Sequence, residues 1–456
     1  MKDWHGQRVA VVGLGRSGVA LTRVLGELGA RVLVSESRSA EALVSELQAL
    51  PPGTFDLESG GHTDRLWQGQ DAVVISPGVP YRMAVLEQAR QHGVPVIGEI
   101  EVAYRLASAP MIAVTGTNGK STTTSLIHAM LEAGGQTAVL AGNIGIPLVG
   151  EVGTQASWIV AEISSFQLES IETFRPHVGV ALNITSDHLD RHGTMGEYRA
   201  AKARLFENQT LDDYAVLNAD DPAVTTLADG RPSRVHRFSR HRAVELGCWL
   251  EGTTIRSHLG PYLTLPEDRT LHGVHNEENI LAAATVGQIV GLPGDALVRV
   301  LRRFAPLHHR MELVERQGGV TWLDDSKGTN PGAVVAALES VRQPVVLIAG
   351  GKDKGMDFAP LARALPARVK ALVLIGEATP RLEAAARQVG FTAVHRAETL
   401  AAAVTAARSL AAPGDCVLLS PACASFDMFR SAEDRGEQFA ALVRAGTATA
   451  RGRAEK

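Results

Sequence analysis

The 456-residue chain has only three cysteines, Cys248, Cys416 and Cys423, without disulfide-framework density or metal-ligand spacing. A disulfide-stapled secreted domain is excluded, and a reducing compartment, the cytoplasm, is expected. Long apolar runs are also missing. Stretches such as 344–349 and 371–375 have strand length, far short of the ~20 residues that cross a bilayer. The opening segment MKDWHGQRVAVVG has no leader-like apolar region, so neither export nor membrane insertion is expected. Charge of one sign is lacking too. With 45 basic and 49 acidic residues, the net charge of −4 makes no field that would gather nucleic acid. Nucleic acid is therefore not an expected partner, and an anionic ligand must be held by local groups.

What is present is a rhythm. Strand-length apolar runs alternate with helical patterns, which predicts an α/β protein with parallel sheets built from βαβ units. The length suggests about three domains, each able to bury a core. The first block, residues 1–108, has predicted strands at 8–12, 31–34, 72–75 and 94–97 and a helix at 16–28. The second, 109–312, has strands at 158–163, 178–183 and 215–218, a short β-like stretch at 234–265 expected to be a small antiparallel excursion, and a closing helix at 276–290. The third, 313–456, repeats the pattern at 321–324, 345–349, 371–375 and 417–419.

The most informative string is MIAVTGTNGKSTTTSLI, residues 111–127. An apolar strand runs into a turn formed by Gly116, Thr117, Asn118 and Gly119, then Lys120, Ser121 and Thr122 open a helix. This is the layout of a phosphate-binding loop: amides and a helix N-terminus surround the phosphates, Lys120 reaches the outer ones and Ser121 ligates Mg²⁺. Use of a nucleoside triphosphate is predicted. The loop is a variant, because Val114 stands five residues before Gly119 and the glycine falls at Gly116 instead. A ligand-free turn leaves unexplained why a lysine, a serine and three threonines crowd one helix start.

In the first block, GLGRSG (Gly13, Gly15, Gly18) follows a strand, and Glu36 ends the next one where a ribose-binding carboxylate would sit. Alone this spacing fits NAD. A nucleotide-sugar diphosphate satisfies it equally well, and nothing downstream resembles hydride chemistry. Ser76-Pro77-Gly78 forms a second turn directly after a strand. In the second block Glu162 closes the run WIVAE, and Asp187 and His188 follow the 178–183 strand. In a parallel sheet these would share an edge with Lys120 and Ser121, suited to Mg²⁺ ions that bridge phosphates. Lys202 lies on an apolar helical stripe with Tyr198, Leu205 and Phe206 over 196–208. Periodicity alone favours a packed stem with its ammonium reaching water; the alternative is a desolvated amine that takes up CO₂ as a carbamate. The third block offers LDDSKGTNPG, with Asp325, Lys327, Thr329, Asn330 and Pro331 at a helix start, then GGKDKG and SPACAS after later strands. Arg310 lies in the linker between blocks.

Taken in order, GLGRSG, SPG, GTNGKST, GNIG, EISSFQLE, DHLDRHG, YRAAK, HNEEN, HHR, DSKGTN, GGKDKG and SPACAS resemble the Mur ligase family over nearly the whole chain. Within it, the strings resemble the branch that adds D-glutamate to UDP-N-acetylmuramoyl-L-alanine. The resemblance implies three α/β domains: an N-terminal Rossmann-like domain for the UDP-sugar, a central ATPase domain with a mostly parallel sheet, and a C-terminal Rossmann-like domain for the amino acid. It implies ATP-driven amide synthesis through an acyl phosphate in cytoplasmic peptidoglycan precursor synthesis, by a monomer. It also implies that Lys120 holds the outer phosphates, that Ser121 and Glu162 bind one Mg²⁺, and that His188 and carbamylated Lys202 bind a second. By the same resemblance Asn276, Asn279, Arg310 and Asp325 contact ATP, Asn143 meets substrate near the metals, and Arg16, Ser17, Glu36, Ser37, Arg38 and Gly78 frame the UDP. Lys327, Thr329, Lys354 and Ser425 then serve D-glutamate and the phosphate side. The chain departs from the pattern at Ala432, where a Phe is usual, at Glu36 for Asp, and at Arg16 for an apolar residue. No DNPR-like string, the mark of the diaminopimelate- or lysine-adding branch, is present. The nearest rivals are another amide ligase of the same superfamily, an NAD-dependent oxidoreductase and a non-catalytic nucleotide-binding regulator.

Overall fold

The computed structural model describes residues 4–305 and 307–454, with 446–454 described by their backbone only. Three sheets carry the fold. The first contains β1 (Arg8–Val12), β2 (Arg31–Glu36), β3 (Phe55–Ser59), β4 (Ala72–Ile75) and β5 (Val96–Gly98), all parallel in the order β3-β2-β1-β4-β5. The second contains β6 (Met111–Thr115), β7 (Ala138–Gly142), β8 (Trp158–Glu162), β9 (Val178–Ala181), β10 (Tyr214–Asn218), β11 (Arg234–Ser239), β12 (Gly247–Glu251), β13 (Thr254–Ser257) and β14 (Gly260–Thr264). Its order is β14-β13-β12-β11-β10-β9-β6-β8-β7, so β6 is an interior strand. The third contains β15 (Glu312–Gln317), β16 (Val320–Asp324), β17 (Val345–Gly350), β18 (Val369–Ile375), β19 (Val394–Arg396) and β20 (Cys416–Leu419), ordered β15-β16-β20-β17-β18-β19. Only β15 runs antiparallel there.

The first two sheets, with residues up to Ile184, Gly196–Pro266 and Glu278–Val300, form one compact unit. The third sheet, with Thr185–Met195, Glu267–Glu277 and the residues from Leu301 onward, forms another. In the first unit one apolar core runs from Val9 and Val34 through Ala113 and Ile159 to Leu217. Each fully buried aliphatic side chain there contributes about 1.5–3 kcal/mol. The interior strands β1, β4, β6, β17 and β20 read as unbroken apolar runs because helices cover both faces.

Three details differ from the sequence expectation. The helix expected over 196–208 ends as Met195–Ala203 and tightens into a 3₁₀ turn, Arg204–Phe206. There Arg204 donates to the carbonyls of Leu168, Glu169 and Ile171, which holds the turn against the neighbouring loop. The β-like stretch after residue 234 is only partly antiparallel, since β11 and β12 continue the parallel sheet before the β12–β14 meander. Strands β3, β7 and β15 lie at sheet edges and are only partly buried, which gives them no continuous apolar signature. All three cysteines are buried, and burial pushes each thiol up to about 12. Among the described residues no helix is long and apolar enough to cross a membrane.

Candidate active site

The phosphate loop leaves β6 as the sequence predicts. Gly119 caps the helix Lys120–Ala133 with φ 83°, a left-handed conformation that costs glycine little. A Cβ there would meet Asn279 Oδ1 at 2.3 Å, so the turn also depends on glycine sterically. Asn279 in turn accepts a hydrogen bond from Thr123 Oγ1 at 3.1 Å, which ties it to this helix. Asn183 braces the loop, accepting from Asn118 N at 2.8 Å and donating to Asn118 O at 3.1 Å. Lys120 Nζ donates to the carbonyls of Gly116 and Thr117 at 2.9 and 2.8 Å, its positive charge lying over the loop itself. With the helix N-terminus, this makes a cradle suited to an anion.

Beside it, Glu162 ends β8 opposite Val114 of β6. Its Oε1 accepts from Asn143 Nδ2 at 2.7 Å, while buried Oε2 has no hydrogen-bond partner. A buried carboxylate oxygen left unpaired is costly, and a divalent cation is a natural partner for it. Lys202 is 1 % exposed, so the stem does not carry its ammonium to water. Nζ donates to Gly116 O at 2.8 Å and lies 4.7 Å from the Tyr198 ring centre; the Tyr198 hydroxyl is 3.1 Å from Thr117 Oγ1. Lys202 and Lys120 therefore meet at the same loop carbonyl.

Asn143 also lines a cavity of about 570 Å³. Five further predicted residues line it: Arg16, Ser17, Glu36, Ser37 and Gly78. The glycine turn is sterically required, because a Cβ on Gly18 would sit 2.0 Å from Gly13 O. Burial works against the charge of Glu36, but Arg38, Leu14 N and Ser37 hold its carboxyl down at about 2. Arg38 is not part of the lining; it bonds Glu36, Glu46 and Leu14 O and so fixes the loop. Arg16 Nη1 reaches Gly145 O in the GNIG loop at 3.5 Å.

In the second unit, Asp325 follows β16 and accepts from Ser420 Oγ at 2.6 Å. Complete burial pushes its carboxyl up to about 7, against the hydrogen bond from Ser420 and the charge of Arg310. Preceding Arg310, His309 Nδ1 lies 2.7 Å from Asp324 Oδ2, with both side chains buried. Asn330 caps the helix Pro331–Ser340 through Ala333 N, and its Nδ2 donates to Asp187 Oδ2 at 3.2 Å. Lys354 Nζ lies 3.5 Å from Asp187 Oδ1, and His188, with φ 54°, donates its amide to the same oxygen at 2.9 Å. Lys327 pairs with Glu433 at 3.2 Å. Thr329 N donates to Lys327 O, and Ser425 is buried, its carbonyl accepting from Phe429 N. Asn276 donates to His272 O from the start of the helix Val274–Ile289.

Arg435 escaped the sequence reading. It is fully buried in the C-terminal helix and donates to Ser326 Oγ and O and to the carbonyls of Cys423 and Ala424. It therefore clamps the DSKGTN loop to the SPACAS turn, where Ala422 takes φ 60°. A lone arginine in a charged helix gives no sequence signal. Asn183 was read only as a strand end, although its spacing from the phosphate strand offered a clue.

Three segments of the chain match family models. Residues 7–98 match the Mur ligase MurD-like N-terminal domain, 114–287 the Mur ligase middle domain and 309–423 the Mur ligase glutamate ligase domain. The chain is similar to the UDP-N-acetylmuramoylalanine–D-glutamate ligase of Pelotomaculum thermopropionicum, 46 % identical over 97 % of this chain and 98 % of that one. It is also similar to the enzyme of that name from Syntrophotalea carbinolica, 47 % identical over 98 % and 99 %. Among solved structures, UDP-N-acetylmuramate-alanine ligase from Thermotoga maritima shares the fold, with a TM-score of 0.63 at 19 % identity over 96 % of this chain and 100 % of that one.

Proposed function

The chain belongs to the Mur ligase family, and from that we propose that it joins D-glutamate to UDP-N-acetylmuramoyl-L-alanine with ATP, giving ADP and phosphate. The observation that carries this reading is one residue pair. Asn143 lines the nucleotide-sized cavity and bonds Glu162, whose strand runs beside the one that delivers the phosphate loop. An acid bound in the cavity and a triphosphate on the loop would thus share one wall. The substrate carboxylate oxygen attacks the γ-phosphorus and ADP leaves. The amine of D-glutamate then adds to the acyl carbon, the tetrahedral species loses a proton from nitrogen, and phosphate departs.

In this reading Lys120 and the loop amides offset charge on the phosphates. Ser121 and Glu162 hold one Mg²⁺, and the unpaired Oε2 of Glu162 fits that role. His188 and a carbamate on Lys202 hold a second. Bound there, Mg²⁺ would screen the phosphate oxygens from the approaching carboxylate. Asn276, Asn279, Arg310 and Asp325 contact ATP; Lys327, Thr329, Lys354 and Ser425 take the carboxylates of D-glutamate and the phosphate side, as cations and hydroxyl donors suit such groups. Residues 1–108, 109–312 and 313–456 serve UDP-sugar, ATP and amino acid, in a cytoplasmic monomer. A substrate panel tests the assignment: phosphate release should require ATP, UDP-N-acetylmuramoyl-L-alanine and D-glutamate together. Equal turnover with L-glutamate, or turnover with UDP-N-acetylmuramate and L-alanine, would refute it.

A further inference from the structure

Within the cavity, the carboxyl ends of β1, β2 and β3 lie side by side, so their turns form successive stations: Gly13 to Ser17, then Glu36, then His62. The glycine turn at the helix start suits a diphosphate, which leaves the outer stations for ribose and base. Glu36 is poorly placed to accept from a ligand. Its Oε2 already takes Leu14 N at 2.8 Å and Arg38 Nη2 at 3.1 Å, and its Oε1 takes Ser37 Oγ and Arg38 N, both at 3.1 Å. These four donors fill the lone-pair sites of a carboxylate.

His62 is the polar side chain at the β3 station. The turn before it is held by Gly60 N and Gly61 N donating to the carbonyls of Arg38 and Glu36. Its Nδ1 lies 2.8 Å from Ser35 Oγ, and that hydroxyl, fully buried, lies 2.6 Å from Glu58 Oε2. Burial opposes the charge on Glu58, but hydrogen bonds from Ser35 and Thr63 keep its carboxyl below the ordinary value, so it is an acceptor only. The single proton of Ser35 must therefore point to Glu58, and Nδ1 of His62 must carry a proton to meet the serine lone pair. In the neutral imidazole the other ring nitrogen is then an acceptor.

We propose that His62, its tautomer fixed by Ser35 and Glu58, is a specificity residue that accepts the imide N–H of a uracil-type base. Cytosine has a bare ring nitrogen at that position, so its nucleotides are rejected. This rests on the proposed UDP-sugar reading of the cavity. The test measures Kd for UDP and CDP by calorimetry, and steady-state constants, for the full chain and for His62→Phe, Ser35→Ala and the double variant. Wild type should prefer UDP. His62→Phe should weaken UDP about 10- to 100-fold, the scale of a donor left unpaired, and CDP less than threefold. It should raise KM for the UDP-sugar while leaving kcat and the KM for ATP within twofold. Ser35→Ala should lose a smaller part of the preference, and the double variant should be no weaker than His62→Phe. Equal loss of UDP and CDP in His62→Phe, or additive losses in the double variant, would overturn the role of His62 alone. A wild type that binds no UDP would overturn the cavity reading with it.

Discussion

Glu99 opens the helix Glu99–Leu106 and is 1 % exposed, with its Oε1 accepting from Val149 N at 2.7 Å and its Oε2 unpartnered. Burial pushes its carboxyl up from 4.5 to about 7, despite the opposing hydrogen bonds. A folded-state value above the unfolded one means that the folded chain holds this proton more tightly. The contribution to stability is therefore complete below about pH 4.5, is lost as pH rises toward 7 and stays lost above it. At 1.36 kcal/mol per pH unit, the charged form costs the folded state about 3 kcal/mol. Glu99→Gln keeps an acceptor for Val149, replaces the single O–H of the protonated acid with an amide NH2, and cannot ionise. The variant should lie within about 1 kcal/mol of wild type at pH 5 and exceed it at pH 8 by up to about 3 kcal/mol, a gain of about 6 °C in the Tm of the first unit at roughly 2 °C per kcal/mol. Thermal melts in matched buffers from pH 5 to 8 read this directly. Parallel curves for the two proteins across that range would refute the buried-acid argument.

Three other outcomes follow from the site. Glu162→Gln should lower turnover about a thousandfold, roughly 4 kcal/mol, while leaving the ligand-free Tm unchanged and removing the extra stabilisation by Mg²⁺ and ATP; activity within tenfold of wild type would exclude Glu162 as a metal ligand. Lys202→Ala should nearly abolish turnover, and added bicarbonate should not restore it, whereas full activity would end the carbamate assignment. Arg435→Met strands the acceptors at Ser326, Cys423 and Ala424 and should destabilise the second unit by about 3 kcal/mol, read from urea unfolding; an unmoved midpoint would show that the clamp is dispensable.

Much of this was legible because the groups involved act through local geometry. The phosphate loop is contiguous, so its glycines, Lys120 and Ser121 could be read as a unit, and interior strands such as β6 and β17 announce themselves by unbroken apolar runs. Edge strands could not be found in that way, because half their side chains meet water. Lys202 shows the limit of periodicity: the stripe with Tyr198 was correct, but only the fold shows that the ammonium ends on Gly116 O rather than in solvent. The Arg435–Ser326 clamp, the Ser35–His62 contact and the Leu14 amide on Glu36 join residues 22 to 109 positions apart in the chain. No spacing rule links those particular pairs.

The burial of Cys248, Cys416 and Cys423 has a practical result. Thiols that ionise only near pH 12 and meet no solvent react slowly with maleimides or iodoacetamides. A single cysteine introduced on an exposed loop can thus carry a fluorescent dye without first deleting the native ones, which makes the native sequence a ready background for following ligand capture optically.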